Sequence, residues 1–131
     1  MAESKPPAVG QIGWIDLTVP NAVGLRDFYQ DVVGWTPSGL DMGGYEDFMM
    51  TPPNSETAVA GVCHARGSNA DIPPVWLIYL MVSDLDESVR RCEVRGGKLR
   101  RPIATMGGTG RYCVIEDPAG AVSAMFESSS K

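Results

Sequence analysis

The chain has 131 residues, enough for one compact domain and too few for separate cofactor and substrate domains. Eleven Lys and Arg against sixteen Asp and Glu leave a net charge of −5, which argues against a nucleic-acid binder, since such a protein needs a positive field to displace counterions. At 44% hydrophobic and 21% charged the composition is that of a folded chain, and no apolar run approaches the roughly 18 residues of a membrane span. No charged-then-apolar leader opens the sequence, and Cys63, Cys92 and Cys113 form neither a CxxC pair nor a disulfide framework. A cytoplasmic protein with reduced thiols is therefore expected. His64 is the one histidine, so a metal site can use imidazole at most once.

Residues 1–11 and 128–131 read as solvated tails. Residues 14–19 alternate as a strand, with Ile15, Leu17 and Val19 on one face and Trp14, Asp16 and Thr18 on the other. Asn21 follows as a helix N-cap. Leu25, Phe28, Tyr29 and Val32 then form an apolar stripe on a helix that stops at Gly34. Residues 45–50 and 58–63 read as short strands. A strand over 76–82 follows, then a helix capped by Asp84 in the capping-box spacing Asp84-x-x-Glu87, with Leu85, Val89 and Cys92 as its apolar stripe and Gly96-Gly97 as its stop. Two last strands, 111–116 and 121–127, are joined by the turn Asp117-Pro118-Ala119-Gly120. The Met106–Gly110 stretch lacks the Lys-Ser/Thr ending of a phosphate loop and precedes a strand, so it reads as a mobile rim loop.

Adding 63 to a residue number maps the first half onto the second. Ile15, Leu17 and Val19 become Ile78, Leu80 and Val82; the cap Asn21 becomes the cap Asp84; Gly34 becomes Gly97; and Ala58-Val59 becomes Ala121-Val122. Matched structural roles at one constant offset indicate a duplicated β-α-β-β-β unit, each half needing the other to bury its sheet. The expected organisation is a single domain over 12–127, with module one at 12–66 and module two at 75–127.

The phrase IDLTVPNAVGLRDFYQDVVGW resembles the opening of the vicinal-oxygen-chelate superfamily, which contains glyoxalases, bleomycin-resistance proteins and extradiol dioxygenases. VWLIYLMVSDLDESVRRCEVRGGKL resembles the start of that family's second module, and the run from Gly110 through Asp117-Pro118-Ala119-Gly120 to Glu127 resembles its closing hairpin. The resemblance implies an α+β glyoxalase-like fold: two tandem βαβββ modules whose mixed sheets curl around one central cavity. It also implies a metal-ligand position on the first and last strand of each module. Those positions here are Trp14, Gly61, Leu77 and Ala124, none of which can ligate a metal, so no cofactor is expected.

Strand alternation nominates the cavity lining as Trp14, Asp16, Thr18, Cys63, Tyr79, Met81 and Phe126, with Val122 beside them. Asp16 is the candidate hydrogen-bonding group or base, because an inward carboxylate is costly to bury without a partner. His64 is the candidate acid–base partner, although alternation turns it away from Asp16; a metal set of Asp16, His64 and Glu46 meets the same objection. Cys63 lacks an obvious activating base and reads as a small buried hydrophobe. Residues 90–101 carry Arg90, Arg91, Arg95, Lys98, Arg100 and Arg101 against Glu93, a +5 window that is either a solvated face or a cationic edge for an anionic partner.

The preferred function is binding of a small, largely apolar organic ligand without the family's metal, with no nucleic-acid or membrane partner and, from the resemblance, a homodimer. The alternatives are a glyoxalase-like lyase, isomerase or dioxygenase using an atypical metal site or Asp16/His64 acid–base chemistry, and an interaction module whose cavity is filled by its own side chains.

Overall fold

The computed structural model describes residues 7–129. The outermost parts of the two expected tails, residues 1–6 and 130–131, lie outside the described residues. In order, the elements are β1 (Ile12–Val19), α1 (Ala22–Val33), β2 (Thr36–Asp41), β3 (Glu46–Thr51), β4 (Ala60–His64), β5 (Trp76–Met81), α2 (Leu85–Val94), β6 (Lys98–Met106), β7 (Gly110–Glu116) and β8 (Val122–Ser128). No helix among them is long and apolar enough to cross a membrane.

The chain divides into two compact units. The first is Ile15–Trp76; the second runs from Leu77 onward and includes the residues up to Trp14. In the first unit the strand order is β2-β3-β4-β1, antiparallel except for the parallel β4–β1 pair. In the second it is β6-β7-β8-β5, again antiparallel except for the parallel β8–β5 pair. Both are mixed sheets of the same βαβββ topology.

The 63-residue offset is written into the ladders. Asp16 pairs with Gly61, Leu17 with Val62 and Thr18 with Cys63. Tyr79 pairs with Ala124, Leu80 with Met125 and Met81 with Phe126, and each of these pairs is the corresponding first-unit pair shifted by 63. The helix starts match as well. The Asn21 side chain accepts from the Gly24 N–H at 3.0 Å, and the Asp84 side chain accepts from the Glu87 N–H at 3.2 Å. The helix ends differ by one residue. Gly34 takes the left-handed conformation after α1, whereas after α2 it is Gly96, not Gly97, that has positive φ.

Sequence alternation located three strands in each half; the fourth is the edge strand β2 in one unit and β6 in the other. Thr36–Asp41 contains Pro37 and Gly39 and has no apolar alternation, while Lys98–Met106 contains Arg100-Arg101-Pro102 and two register shifts. Edge positions tolerate such residues because one side of the strand owes no ladder hydrogen bonds.

One face of each sheet packs on its helix. In the first unit Leu17, Val19, Ala22, Phe48, Met50 and Val62 form the core, with Leu25, Tyr29, Trp35 and Trp76 against it. Tyr29 lies 5.7 Å from Trp35 and 5.2 Å from Trp76, ring centre to ring centre, and its hydroxyl accepts from the Trp76 indole N–H at 3.3 Å. The α1 stripe is therefore Ala22, Leu25 and Tyr29; Phe28 and Val32 remain 51% and 61% exposed. In the second unit Leu85, Cys113 and Met125 are buried together, with Val82, Val89, Leu99, Ile103 and Ile115 around them. Gly10 and Gln11, expected to belong to a tail, hydrogen-bond to Met81 at the end of β5.

Candidate functional site

The chemistry-bearing residues stand on the sheet faces turned away from the helices. In the first unit Leu17, Val19 and Val62 point toward α1, so the pleat sends Asp16, Thr18 and Cys63 to the opposite side. Asp16 is 8% exposed and Thr18 5%, while Cys63 is half-buried. Asp47 of β3 joins them. It is 8% exposed, accepts from the His64 backbone N–H at 2.9 Å and hydrogen-bonds to the Cys63 thiol. Burial, then the nearby carboxylates of Asp16 and Asp47, then that hydrogen bond hold the Cys63 thiol far above its ordinary pKa. A thiol between two carboxylates stays protonated and is a poor nucleophile. Asp47 was missed by sequence reasoning because it precedes Phe48 in a run, Asp47 to Met50, that reads as a plain strand; its pairing with the end of β4 is a long-range contact.

His64 lies on the other side of this sheet. Its ring is 5.6 Å from Tyr45, edge-on, and 6.1 Å from Phe48, a residue of the α1-side core. Arg66 stacks over Tyr45 at 3.9 Å and Arg26 over Phe48 at 4.8 Å. Asp16 and His64 thus occupy opposite faces and do not converge on one atom, and Glu46 is exposed on β3. Among the described residues no group of three or more His, Cys, Asp and Glu side chains could hold a metal ion.

In the second unit the face away from α2 is aromatic and apolar. Tyr79 and Met81 of β5 are buried, as are Tyr112 and Val114 of β7 and Ala124 of β8, and Phe126 is half-buried. The Tyr79 and Tyr112 rings lie 6.1 Å apart, and the Arg101 guanidinium sits 4.9 Å from the centre of the Tyr112 ring. Trp14, half-buried on β1, belongs to the same unit. Of the basic run, Arg90 and Arg91 both bind Glu87 on α2, and Arg100 binds Glu116 at 2.9 Å. Arg101 is the member of that run that stacks on the aromatic face. Arg111, outside the run, bridges Asp86 at 3.0 Å and Glu127 at 2.9 Å, while Glu127 also accepts from the first N–H of α2. This network anchors the helix start to β7 and β8.

These paired βαβββ units, with side chains gathered on the faces away from the helices, define a protein of the glyoxalase-like α+β class. The model of the glyoxalase/bleomycin resistance protein/dioxygenase superfamily matches residues 11–123, and the chain belongs to that superfamily. Among its relatives are the candidate glyoxylase CFP32 of Mycobacterium tuberculosis, 30% identical over 122 residues, and the anthracycline biosynthesis protein DnrV of Streptomyces peucetius, 30% identical over 134 residues. The matches cover 90% and 91% of this chain but 46% and 47% of those proteins, so the chain spans about half the length of these relatives. The crystal structure of methylmalonyl-CoA epimerase from Mycobacterium tuberculosis shares the fold, with a TM-score of 0.55, 18% identity and coverage of 88% of this chain and 85% of that one.

The four strand positions to which the resemblance assigns metal ligands carry no coordinating side chain. Trp14 presents an indole, Gly61 no side chain, and Leu77 and Ala124 buried alkyl groups, with Ala124 directly opposite Tyr79 in the ladder. A carboxylate stands opposite Gly61, at Asp16, near the Cys63 thiol, which the Asp47 carboxylate also neighbours.

Proposed function

We propose that the protein binds a small, largely apolar organic molecule laid against the face of the second unit that carries Tyr79, Tyr112 and Phe126. The observation that supports this reading is the concentration of aromatic side chains on the sheet face opposite the α2 core, where stacking area of this kind holds planar ligands. Trp14 adds a further ring from the same unit. The names of the relatives, a candidate glyoxylase and an anthracycline biosynthesis protein, fit a ligand drawn from small organic molecules. Binding is preferred to acid–base catalysis because Asp16 and His64 stand on opposite faces of their sheet.

The test is titration of the purified protein with 2-naphthol and 1-hydroxyanthraquinone, followed by tryptophan fluorescence. Saturable quenching is expected, weakened at least about ten-fold, the scale of one lost aromatic contact, in Phe126→Ala and Tyr112→Ala. Phe28→Ala, on the exposed side of α1, should bind as the parent does. Absence of saturable binding, or full affinity in Phe126→Ala, refutes the reading. We further propose that two copies associate, since relatives carry about twice this chain's length; light scattering should then give twice the monomer mass, and a monomer would refute it.

A further inference from the structure

In a regular strand residues 99, 101 and 103 point to one side. In β6 they do not. Leu99 and Ile103 both pack in the α2-side core, whereas the Arg101 guanidinium lies over Tyr112, whose sequence neighbour Cys113 belongs to that core and therefore points the other way. Two register shifts produce the reversal. Leu99 pairs with Ile115, Arg101 with Val114 and Ala104 with Tyr112, so β6 carries one extra residue before Arg101 and another after it. Without the first shift Val114 would face Arg100, which instead pairs with Glu116 at 2.9 Å.

Two bulges around a single residue disrupt the ladder locally and re-aim one side chain, a device over-represented at sheet edges, where β6 lies, and next to active sites. The side chain they deliver is a guanidinium, and the face that receives it carries Tyr112, Tyr79 and Val114. A half-buried guanidinium there is supported from one side by a π face, and the planar fork of its N–H groups matches the geometry of an oxyanion.

We infer that Arg101 is the specificity-determining group of the ligand face, selecting a small aromatic acid whose ring system rests on Tyr79, Tyr112 and Phe126 while its carboxylate is held by the guanidinium. This rests on the binding function proposed above and names its ligand class. Arg101 positions and selects the ligand; no bond is made or broken.

The experiment compares 2-naphthoate with its neutral isostere 2-naphthamide by isothermal titration calorimetry, using the parent protein, Arg101→Gln, Arg101→Lys and the same-strand control Arg100→Gln, each checked for an unchanged circular dichroism spectrum. The parent should prefer the acid by about ten-fold or more, the scale of one charge-assisted hydrogen bond. Arg101→Gln should bring the two compounds within about two-fold of each other, Arg101→Lys should retain part of the preference, and Arg100→Gln should keep all of it. Equal binding of acid and amide by the parent, or an unchanged ratio in Arg101→Gln, overturns this inference and leaves the binding function standing. If Arg101→Gln does not fold, a reduced preference in Arg101→Lys decides in favour and an unchanged one decides against. Failure of both compounds to bind the parent overturns the binding function and this inference with it.

Discussion

Replacing Asp47 by alanine removes a carboxylate that is 8% exposed and serves two donors, the His64 backbone N–H at 2.9 Å and the Cys63 thiol. A hydrogen bond to a charged acceptor contributes about 1.5–3 kcal/mol, and a buried N–H left without an acceptor costs about 1–3 kcal/mol; these describe the same deletion and do not add. The expected loss is about 2–3 kcal/mol for Asp47→Ala. Asp47→Asn keeps an acceptor oxygen in place and gives up only the charge, so about 1 kcal/mol is expected. At about 4 °C per kcal/mol for a chain of this size, Tm should fall by about 8–12 °C in the alanine variant and about 4 °C in the asparagine variant. Urea unfolding followed by tryptophan fluorescence separates them, with the midpoint moving and the m-value unchanged. If Asp47→Ala costs less than about 0.5 kcal/mol, or if asparagine costs as much as alanine, the carboxylate does not hold the end of β4 as argued.

The remaining predictions concern titration and close packing. Hydrogen bonds from Arg90 and Arg91 lower the Glu87 carboxyl to about 2, so its contribution to α2 is present above the usual carboxylate range and is lost as pH falls toward 2. Thermal melts at low salt should show Glu87→Gln flattening the pH dependence between about 4.5 and 2, and an unchanged slope would contradict it. Cys63 is raised by burial and by Asp16 and Asp47, so the unfolded thiol ionises first and stability should fall as pH rises past about 9. Cys63→Ala should make that alkaline limb shallower; an identical limb would count against the burial of the thiol. Burial also pushes the Cys113 thiol up to about 11, so iodoacetamide should label it at pH 8 only after denaturation, as read by mass spectrometry. Gly110→Ala would drive a Cβ into the Glu127 carbonyl oxygen and to 2.8 Å from Phe126 Cζ, at a cost of about 2–3 kcal/mol in unfolding experiments. A neutral Gly110→Ala would show that β7 and β8 can separate there.

Much of the fold is legible in local chemistry. Alternation at 14–19 and 76–82, the caps Asn21 and Asp84, and the offset of 63 are all properties of neighbouring residues, and the structure repeats that offset in the pairs Asp16–Gly61 and Tyr79–Ala124. The family phrase FYQDVVGW is equally readable, although of its aromatic residues Tyr29 and Trp35 pack with Trp76 on the α1-side core while Phe28 stays exposed. The side of the sheet taken by Asp16, Thr18 and Cys63, away from α1, likewise follows from a pleat of period two.

The sequence by itself therefore determined the repeat, the two mixed α+β modules, the helix starts and the alternation that separates Asp16 from His64. Only the tertiary structure decided that Asp47 closes on Cys63 and the His64 amide, because that bond joins residues on different strands. It also decided that Phe28 and Val32 stay exposed, since a helical stripe states which residues share a face but not how wide a face the sheet will cover. The side taken by Arg101 was decided the same way. One added residue inverts every side chain beyond it, and two bulges set by pairing with β7 leave no local mark in Leu99-Arg100-Arg101-Pro102-Ile103.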